Sequence, residues 1–187
     1  MRLVFLGPPG SGKGTQARLL NERLGVPVIG TGDILRDAVR RGTTLGKKVE
    51  EYLVSGRLAP DDLVNEVVAD LFRRDDRPTR FIMDGYPRTL PQAKSFESVL
   101  HDARQDLEWA VHFTVPTEEL VRRLSGRREV EGRNDDGAET VRKRLEIYRA
   151  STEPLVEHFR EEGILREVDA TRDVESVYQS IVRACGD

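Results

Sequence analysis

Short apolar runs alternate with amphipathic stretches along most of this 187-residue chain. The runs predict strands at Leu3–Leu6, Pro27–Ile29, Arg80–Met83, Ala110–Val115 and Ile164–Val168. Strands that are apolar throughout, and that are separated by helices, are typical of a parallel sheet with both faces covered. The pattern therefore predicts an α/β fold with a parallel five-stranded sheet and helices on both faces.

Apolar residues also recur at helical spacing between the strands. One stripe consists of Val64, Val67, Val68, Leu71 and Phe72. A second consists of Val141, Leu145, Tyr148, Leu155 and Phe159. Both indicate helices that pack on the sheet. Pro60 followed by Asp61 and Asp62 predicts a helix start, and Pro154 predicts a kink in the second helix.

Two polar segments depart from this alternation. Residues 31–59 are a polar helical stretch between two strands, and residues 127–137 are rich in Arg, Glu, Asp and Gly. Both are predicted to project from the core. The implied organisation is a core of residues 1–30, 60–126 and 138–187 that carries two small excursions.

A glycine-rich stretch, GPPGSGKGT at residues 7–15, directly follows the first predicted strand. Its spacing fits the phosphate-binding loop G-x-x-x-x-G-K. Gly7, Gly10 and Gly12 let the backbone curl so that successive N–H groups point at an anion. The helix predicted to begin near Lys13 adds its positive dipole end, and the Lys13 ammonium suits the β- and γ-phosphates. The loop therefore predicts nucleotide binding.

The loop departs from the common pattern at one position. Gly14 follows Lys13, where many such loops carry the Ser or Thr that contacts Mg²⁺, and Thr15 comes one place later. A direct hydroxyl–metal bond from this loop is therefore not expected.

Charge and cysteine content exclude several classes of protein. The net charge of −3 argues against a general nucleic-acid binder. The single Cys185 cannot form an internal disulfide or a cysteine zinc cluster. The four-residue apolar run near the N-terminus is too short for a signal peptide, and no segment approaches membrane-spanning length. A cytoplasmic protein is expected.

Five further polar motifs follow in order along the chain. They are TGDILR at 31–36, DGYPRT at 84–89 with Gln92 beyond it, RLSGRR at 123–128, RNDD at 133–136 and ETVRKR at 139–144. Together with the loop, these segments resemble the adenylate kinase family over nearly the whole chain. The resemblance implies a P-loop NTPase-type core, an NMP-binding segment at 31–59 and a short lid at 127–137.

The resemblance implies an AMP site formed by residues that follow the second and third predicted strands. Thr31 would contact the base or sugar of AMP, and Arg36 and Arg88 would bind its phosphate. Gln92 would pair with the adenine edge, because an amide both accepts and donates hydrogen bonds. The other residues assigned to AMP are Arg57, Leu58, Gly85, Arg133 and Arg144.

ATP is assigned by the same resemblance to the glycine-rich loop. The loop residues concerned are Gly10, Ser11, Gly12, Lys13, Gly14 and Thr15. Arg123 would stack on the ATP adenine, and Arg127 and Arg172 would also contact ATP. The cations assigned to catalysis are Lys13, Arg88, Arg123, Arg127, Arg133 and Arg144.

The resemblance also implies a cofactor and partners. Asp84 would order Mg²⁺ through water, so Mg²⁺ bound with ATP is the expected cofactor. Longer family members carry a folded lid, sometimes with zinc, where this chain has only residues 129–132 between Arg128 and Arg133. No zinc is therefore expected. ATP, AMP and ADP are the expected partners of a monomer, with no nucleic acid and no membrane.

The implied reaction is ATP + AMP ⇌ 2 ADP. The nucleophile is a phosphate oxygen of AMP, which is ionised near neutral pH because the second phosphate pKa is about 6. No general base is needed. The chemical difficulty is that two anions must approach in line, and several cations can offset their repulsion.

Three alternatives remain at this point. A short-lid pyrimidine-monophosphate kinase is the nearest, but relatives with that preference tend to have Ala in place of Thr31 and Asn near Gln92. A small-metabolite kinase would need a positioned base, for which Asp33 is the candidate, whereas Arg36 and Arg88 suit a phosphate acceptor better. A regulatory nucleotide switch would bind ATP or GTP without transferring a phosphoryl group to a small molecule; its GTPase form is disfavoured because the chain lacks an N-K-x-D stretch.

Overall fold

A five-stranded parallel sheet forms the centre of the molecule, with strand order β2-β3-β1-β4-β5. The computed structural model describes the backbone of residues 1–131 and 138–186, with side chains for all of these except 125–131 and 138. The strands are β1 (Arg2–Leu6), β2 (Val28–Gly30), β3 (Phe81–Asp84), β4 (Trp109–Thr114) and β5 (Leu165–Asp169). Every strand end lies within one residue of its predicted position, which confirms the sheet.

Helices connect the strands and cover both faces of the sheet. In the described part of the chain they are α1 (Lys13–Leu24), α2 (Thr31–Arg40), α3 (Thr44–Val54), α4 (Asp61–Arg73), α5 (Leu90–Asp102), α6 (Thr117–Glu131), α7 (Ala138–Ile147), α8 (Pro154–Glu161) and α9 (Val174–Cys185). The predicted starts near Lys13 and after Pro60 are confirmed. No helix among the described residues is long and apolar enough to cross a membrane.

Alternate residues of the central strand β1 belong to two different cores. Leu3 and Phe5 join the cluster that includes residues of α1 and α9. Val4 and Leu6 join the larger cluster, which draws on α4, α5 and α8. Because successive side chains of a strand point to opposite faces, β1 is buried on both sides. Its carboxyl end, where the glycine-rich loop begins, is therefore held firmly in place.

The segment 31–59 contains α2 and α3. Its polar sequence predicts that it projects from the core, but some of its apolar side chains are buried in the core. Leu35 and Val49 are buried and belong to the larger core cluster. The two helices cross closely at Gly46, where a β-carbon would lie 2.1 Å from the carbonyl oxygen of Ala38. The segment is therefore anchored to the core by an apolar stripe.

The predicted lid at 127–137 begins within a helix. Helix α6 runs without a break through Glu131, so residues 127–131 extend it. Residues 132–137 lie outside the described part of the chain.

The helix predicted across residues 141–159 is interrupted before Pro154. A π-helical turn, Tyr148–Thr152, joins α7 to α8. The backbone N–H of Glu153 donates to the carbonyl of Tyr148 at 2.9 Å, which is the wider spacing of a π turn. Since proline lacks an N–H and its ring crowds the preceding turn, a wider turn at this point relieves the conflict.

Candidate functional site

The glycine-rich loop lies at the carboxyl end of β1 and leads directly into α1. Gly10 and Gly12 adopt positive φ angles of 83° and 95°. A β-carbon at Gly10 would lie 2.9 Å from Cγ of Leu124, so the loop packs against α6. Near Gly12 no described atom lies within 4 Å of the position a β-carbon would take, so its conformation alone favours glycine.

The ammonium group of Lys13 sits within the curl of this loop. Nζ donates to the carbonyl oxygens of Gly7 and Pro8 at 2.6 and 2.9 Å, and to Oγ of Ser11 at 3.2 Å. Ser11 is buried. The loop thus combines a positive charge with the amino end of α1, which is the arrangement that binds phosphate.

Asp84 ends β3 beside this loop. It is the neighbour of Phe5 in the β1–β3 register. A β-carbon at Gly14 would lie 3.3 Å from Oδ2 of Asp84. The departure from the common loop pattern at position 14 therefore leaves room for a carboxylate next to the loop.

A cleft of about 660 Å³ opens above the carboxyl ends of the strands. The ATP-assigned residues that line it are Gly10, Ser11, Gly12, Lys13, Gly14, Thr15, Arg123 and Arg172. Asp84, Arg88 and Arg144 line the same cleft. In open parallel sheets, ligands bind at this edge of the sheet.

A smaller pocket of about 70 Å³ adjoins the cleft. The AMP-assigned residues that line it are Thr31, Arg36, Arg57, Leu58, Gly85, Arg88, Gln92 and Arg144. Arg36, Arg88 and Arg144 line both spaces. The junction of the two spaces is therefore strongly positive.

Arg88 is a cation of this junction whose pKa is strongly shifted. Its side chain is partly buried, and Nε donates to the carbonyl of Gly85 at 2.8 Å. Burial, together with the neighbouring charges of Arg144 and Arg36, lowers the pKa of Arg88 to about 10 against the attraction of Asp84. Burial of a guanidinium among like charges is typical of anion-binding sites.

The carboxamide of Gln92 is almost fully buried and is held by two partners. Its Oε1 accepts a hydrogen bond from the backbone N–H of Arg88 at 2.7 Å. Its Nε2 donates to Oδ1 of Asp61 at 2.7 Å. Sequence reasoning used Asp61 only as a helix-start residue, because no local signal reveals a contact 31 positions away.

Two arginines beside the smaller pocket are paired with acids. Arg36 forms an ion pair with Asp33 at 2.6 Å between Nη2 and Oδ1. The Arg57 side chain pairs with Glu51, and its guanidinium lies over the Tyr52 ring. A phosphate ligand at Arg36 would have to compete with Asp33.

On the opposite side of the cleft, Arg123 is held by its own helix and by the residue that follows β5. Nε donates to Oε1 of Glu119 at 2.7 Å, and Nη2 donates to the carbonyl of Ala170 at 2.9 Å. These contacts hold the guanidinium at the cleft wall, near the exposed Arg172.

Two other site predictions lie outside what the structure describes. The side chain of Arg127 is not among the described side chains, and Arg133 falls within residues 132–137. Sequence reasoning missed Thr152, whose hydroxyl donates to the carbonyl of Arg88 at 2.9 Å. That contact depends on the π-helical turn; Pro154 predicted an interruption there but not its form.

Comparison with known proteins identifies relatives of nearly the whole chain. The family model for adenylate kinase matches residues 5–164. The chain is 48% identical over 184 residues to the adenylate kinase of Thermus thermophilus, covering 98% of this chain and 96% of that protein. It is 42% identical over 183 residues to the adenylate kinase of Leptospira biflexa, covering 98% of each. For the Archaeoglobus fulgidus adenylate kinase the identity is 40% over 208 residues, covering 97% of this chain and 96% of the relative. The chain belongs to the adenylate kinase family.

Proposed function

We propose that this protein catalyses the reversible, Mg²⁺-dependent transfer of a phosphoryl group, ATP + AMP ⇌ 2 ADP. One observation carries the proposal: a phosphate-loop cleft and a smaller pocket meet at Arg36, Arg88 and Arg144. Two nucleotides bound in these spaces would bring their phosphates together at this junction.

ATP binds along the glycine-rich loop. Backbone N–H groups at the start of α1 bind its phosphates, and Lys13 exchanges its bonds to loop carbonyls for bonds to phosphate oxygens. Arg123 lies flat against the adenine from the cleft wall, and Arg172 contacts the nucleotide from the β5–α9 connection.

AMP binds in the smaller pocket. Arg36 and Arg88 hold its phosphate, and Gln92, Thr31 and Leu58 surround its base. Gln92 retains one lone pair and one N–H after its internal bonds, since an amide offers two of each. These two positions suffice to pair with the adenine edge.

The transfer needs no proton acceptor on the protein. An ionised AMP oxygen attacks the γ-phosphorus of ATP in line, and ADP leaves from the opposite side. Two unit charges 4 Å apart repel by roughly 4 kcal/mol at an effective dielectric near 20. Lys13, Arg88 and Arg144 offset that repulsion and stabilise the charge that spreads over the equatorial oxygens.

The residues present fit a magnesium ion bound with ATP. Mg²⁺ prefers oxygen ligands and retains several waters, and the Asp84 carboxylate faces the loop at Gly14. Asp84 would hold the ion through water, with phosphate oxygens as direct ligands. When bound, Mg²⁺ neutralises part of the phosphate charge. The single cysteine, Cys185, is the buried last residue of α9 and lies far along the chain from the lid, so we propose no zinc.

Closure over the two nucleotides excludes water, which would otherwise accept the phosphoryl group. The NMP-binding segment 31–59 and the lid 127–137 move against the core made of residues 1–30, 60–126 and 138–187. The protein works as a cytoplasmic monomer on ATP, AMP and ADP, without nucleic acid or membrane.

A substrate panel tests this function. The purified protein is incubated with Mg-ATP and, separately, with AMP, CMP, UMP, GMP and shikimate, and the nucleotide products are measured. ADP formation with AMP alone supports the proposal. Transfer only to CMP or UMP would reassign the protein to pyrimidine nucleotides, and transfer only to shikimate would reassign it to a hydroxyl acceptor.

A further inference from the structure

We infer that Asp61 is a positioning residue that fixes the orientation of the Gln92 carboxamide, and thereby selects adenine over bases with the reversed hydrogen-bonding edge. The inference rests on the proposed function, because it concerns the base of the acceptor nucleotide. It gives a specificity role to a carboxylate that sequence reasoning assigned only to the start of α4.

The chemistry of the two partners dictates which way the amide points. The backbone N–H of Arg88 can only donate, so the atom facing it at 2.7 Å is the Gln92 oxygen. The carboxylate of Asp61 can only accept, so the atom facing it at 2.7 Å is the Gln92 nitrogen. A flipped amide would set nitrogen against the N–H and oxygen against the carboxylate, and both contacts would become repulsive.

Asp61 is itself fixed in place. Its second oxygen, Oδ2, accepts a hydrogen bond from the Thr89 hydroxyl at 2.8 Å. The same hydroxyl oxygen accepts from the backbone N–H of Gln92 at 3.2 Å and caps α5. Asp61, Thr89 and Gln92 therefore form a closed hydrogen-bonded ring between the starts of α4 and α5.

The locked amide offers a defined pattern to the base. One lone pair of Oε1 and one N–H of Nε2 remain, which match the exocyclic amine and ring N1 of adenine. Hypoxanthine, the base of IMP, presents a carbonyl and an N–H at the same two positions. It can pair only with the flipped amide, which Asp61 and the Arg88 backbone oppose.

The discriminating experiment compares AMP with IMP in Asp61→Asn. The carboxamide introduced at position 61 can donate as well as accept, so position 61 no longer opposes the flipped Gln92 amide and only the Arg88 backbone N–H still does. We expect the ratio of kcat/KM for IMP to kcat/KM for AMP to rise at least 10-fold. Because both substrates are measured on one sample, a lower folded fraction leaves the ratio unchanged.

Asp62→Asn is the matched control. Asp62 is exposed and lies in the same first turn of α4, so the substitution removes the same charge from the same helix end. Its IMP-to-AMP ratio should stay within 2-fold of the unmodified protein. An equal rise in both variants would assign the effect to charge and overturn the inference.

Thr89→Val provides a second variant should Asp61→Asn not fold. It removes the hydroxyl that holds Asp61, and a smaller rise in the same ratio is expected. An unchanged ratio in the folded variants would overturn the inference while leaving the proposed function intact. Failure of the unmodified protein to form ADP from ATP and AMP would instead refute the proposed function.

Discussion

At Arg88, the features that suit an anion also oppose stability. The side chain is partly buried, its pKa is lowered to about 10, and the neighbouring charges of Arg144 and Arg36 add to the effect of burial. The charged guanidinium is therefore less favourable in the fold than in water. A phosphate bound at this position would supply the compensating negative charge. The same residue therefore favours phosphate binding and lowers the stability of the free protein.

Removal of a single cation from the site should nearly abolish turnover. Lys13→Ala and Arg88→Ala are each expected to lower kcat at least 100-fold, because the cations stabilise charge that develops during transfer. Steady-state ADP formation from ATP and AMP measures the effect. Arg73→Ala, which removes an exposed cation of α4, should retain nearly full activity. Near-normal turnover in either site variant would refute the role given to that residue.

The same residue should limit the stability of the free protein. Arg88→Met is expected to increase the free energy of unfolding by about 1 kcal/mol at pH 7, since it removes a partly buried charge beside like charges. The folded pKa of about 10 lies below the ordinary value of a guanidinium, so the gain is full below pH 10 and fades as the pH rises from 10 toward that ordinary value. Urea unfolding at pH 7 and pH 11 measures both. A destabilised variant at pH 7 would contradict the prediction.

Among the elements, the strands could be predicted and the helix joints could not. Each strand carries its signal within a few adjacent apolar residues, such as Leu3–Leu6. Pro154 marked an interruption, but the π-helical turn Tyr148–Thr152 depends on how α7 and α8 pack on the rest of the molecule. The hydrogen bond between Gln92 and Asp61 joins α5 to α4. Because the two residues are 31 positions apart in the sequence, only the folded structure reveals it.

The α2–α3 crossing depends on a glycine. Gly46→Ala would place a β-carbon 2.1 Å from the Ala38 carbonyl oxygen, so the two helices must separate. We expect a loss of about 3 kcal/mol in the free energy of unfolding, at the upper end of the effect of overpacking, and weaker binding of AMP. Chemical denaturation and calorimetric titration measure the two effects. Lys47→Ala, an exposed change in the same helix, should alter neither.

At the scale of the whole molecule, the order of the motifs indicated which residues the fold brings together, and composition did not. All five strands are parallel, so their carboxyl ends lie at one edge of the sheet. The glycine-rich loop, the residues that follow β2 and β3, and the arginines of α6 and α7 therefore lie at that edge. Composition alone gave a negative chain and no hint of a positive junction. The strand order β2-β3-β1-β4-β5, which brings Asp84 beside the loop, is a long-range property that periodicity does not contain.

A dinucleoside polyphosphate that spans both spaces should close and stabilise the protein. At 1,000 times its Kd it should add about 4 kcal/mol to the free energy of unfolding. For a chain of this size that corresponds to a rise in Tm of about 8–16 °C. Hydrogen exchange should slow across residues 31–59. Unchanged exchange in that segment, with the ligand bound, would contradict closure.

The bonds that Lys13 makes to the loop carbonyls also bear on turnover. An incoming phosphate exchanges partners with the ammonium rather than meeting a bare charge, so the net gain in affinity is smaller than the charges suggest. When the nucleotide dissociates, the ammonium can form its hydrogen bonds to the loop carbonyls again. A loop of this kind binds its nucleotide less tightly but releases it more readily, which suits an enzyme that must release product in both directions of a reversible reaction.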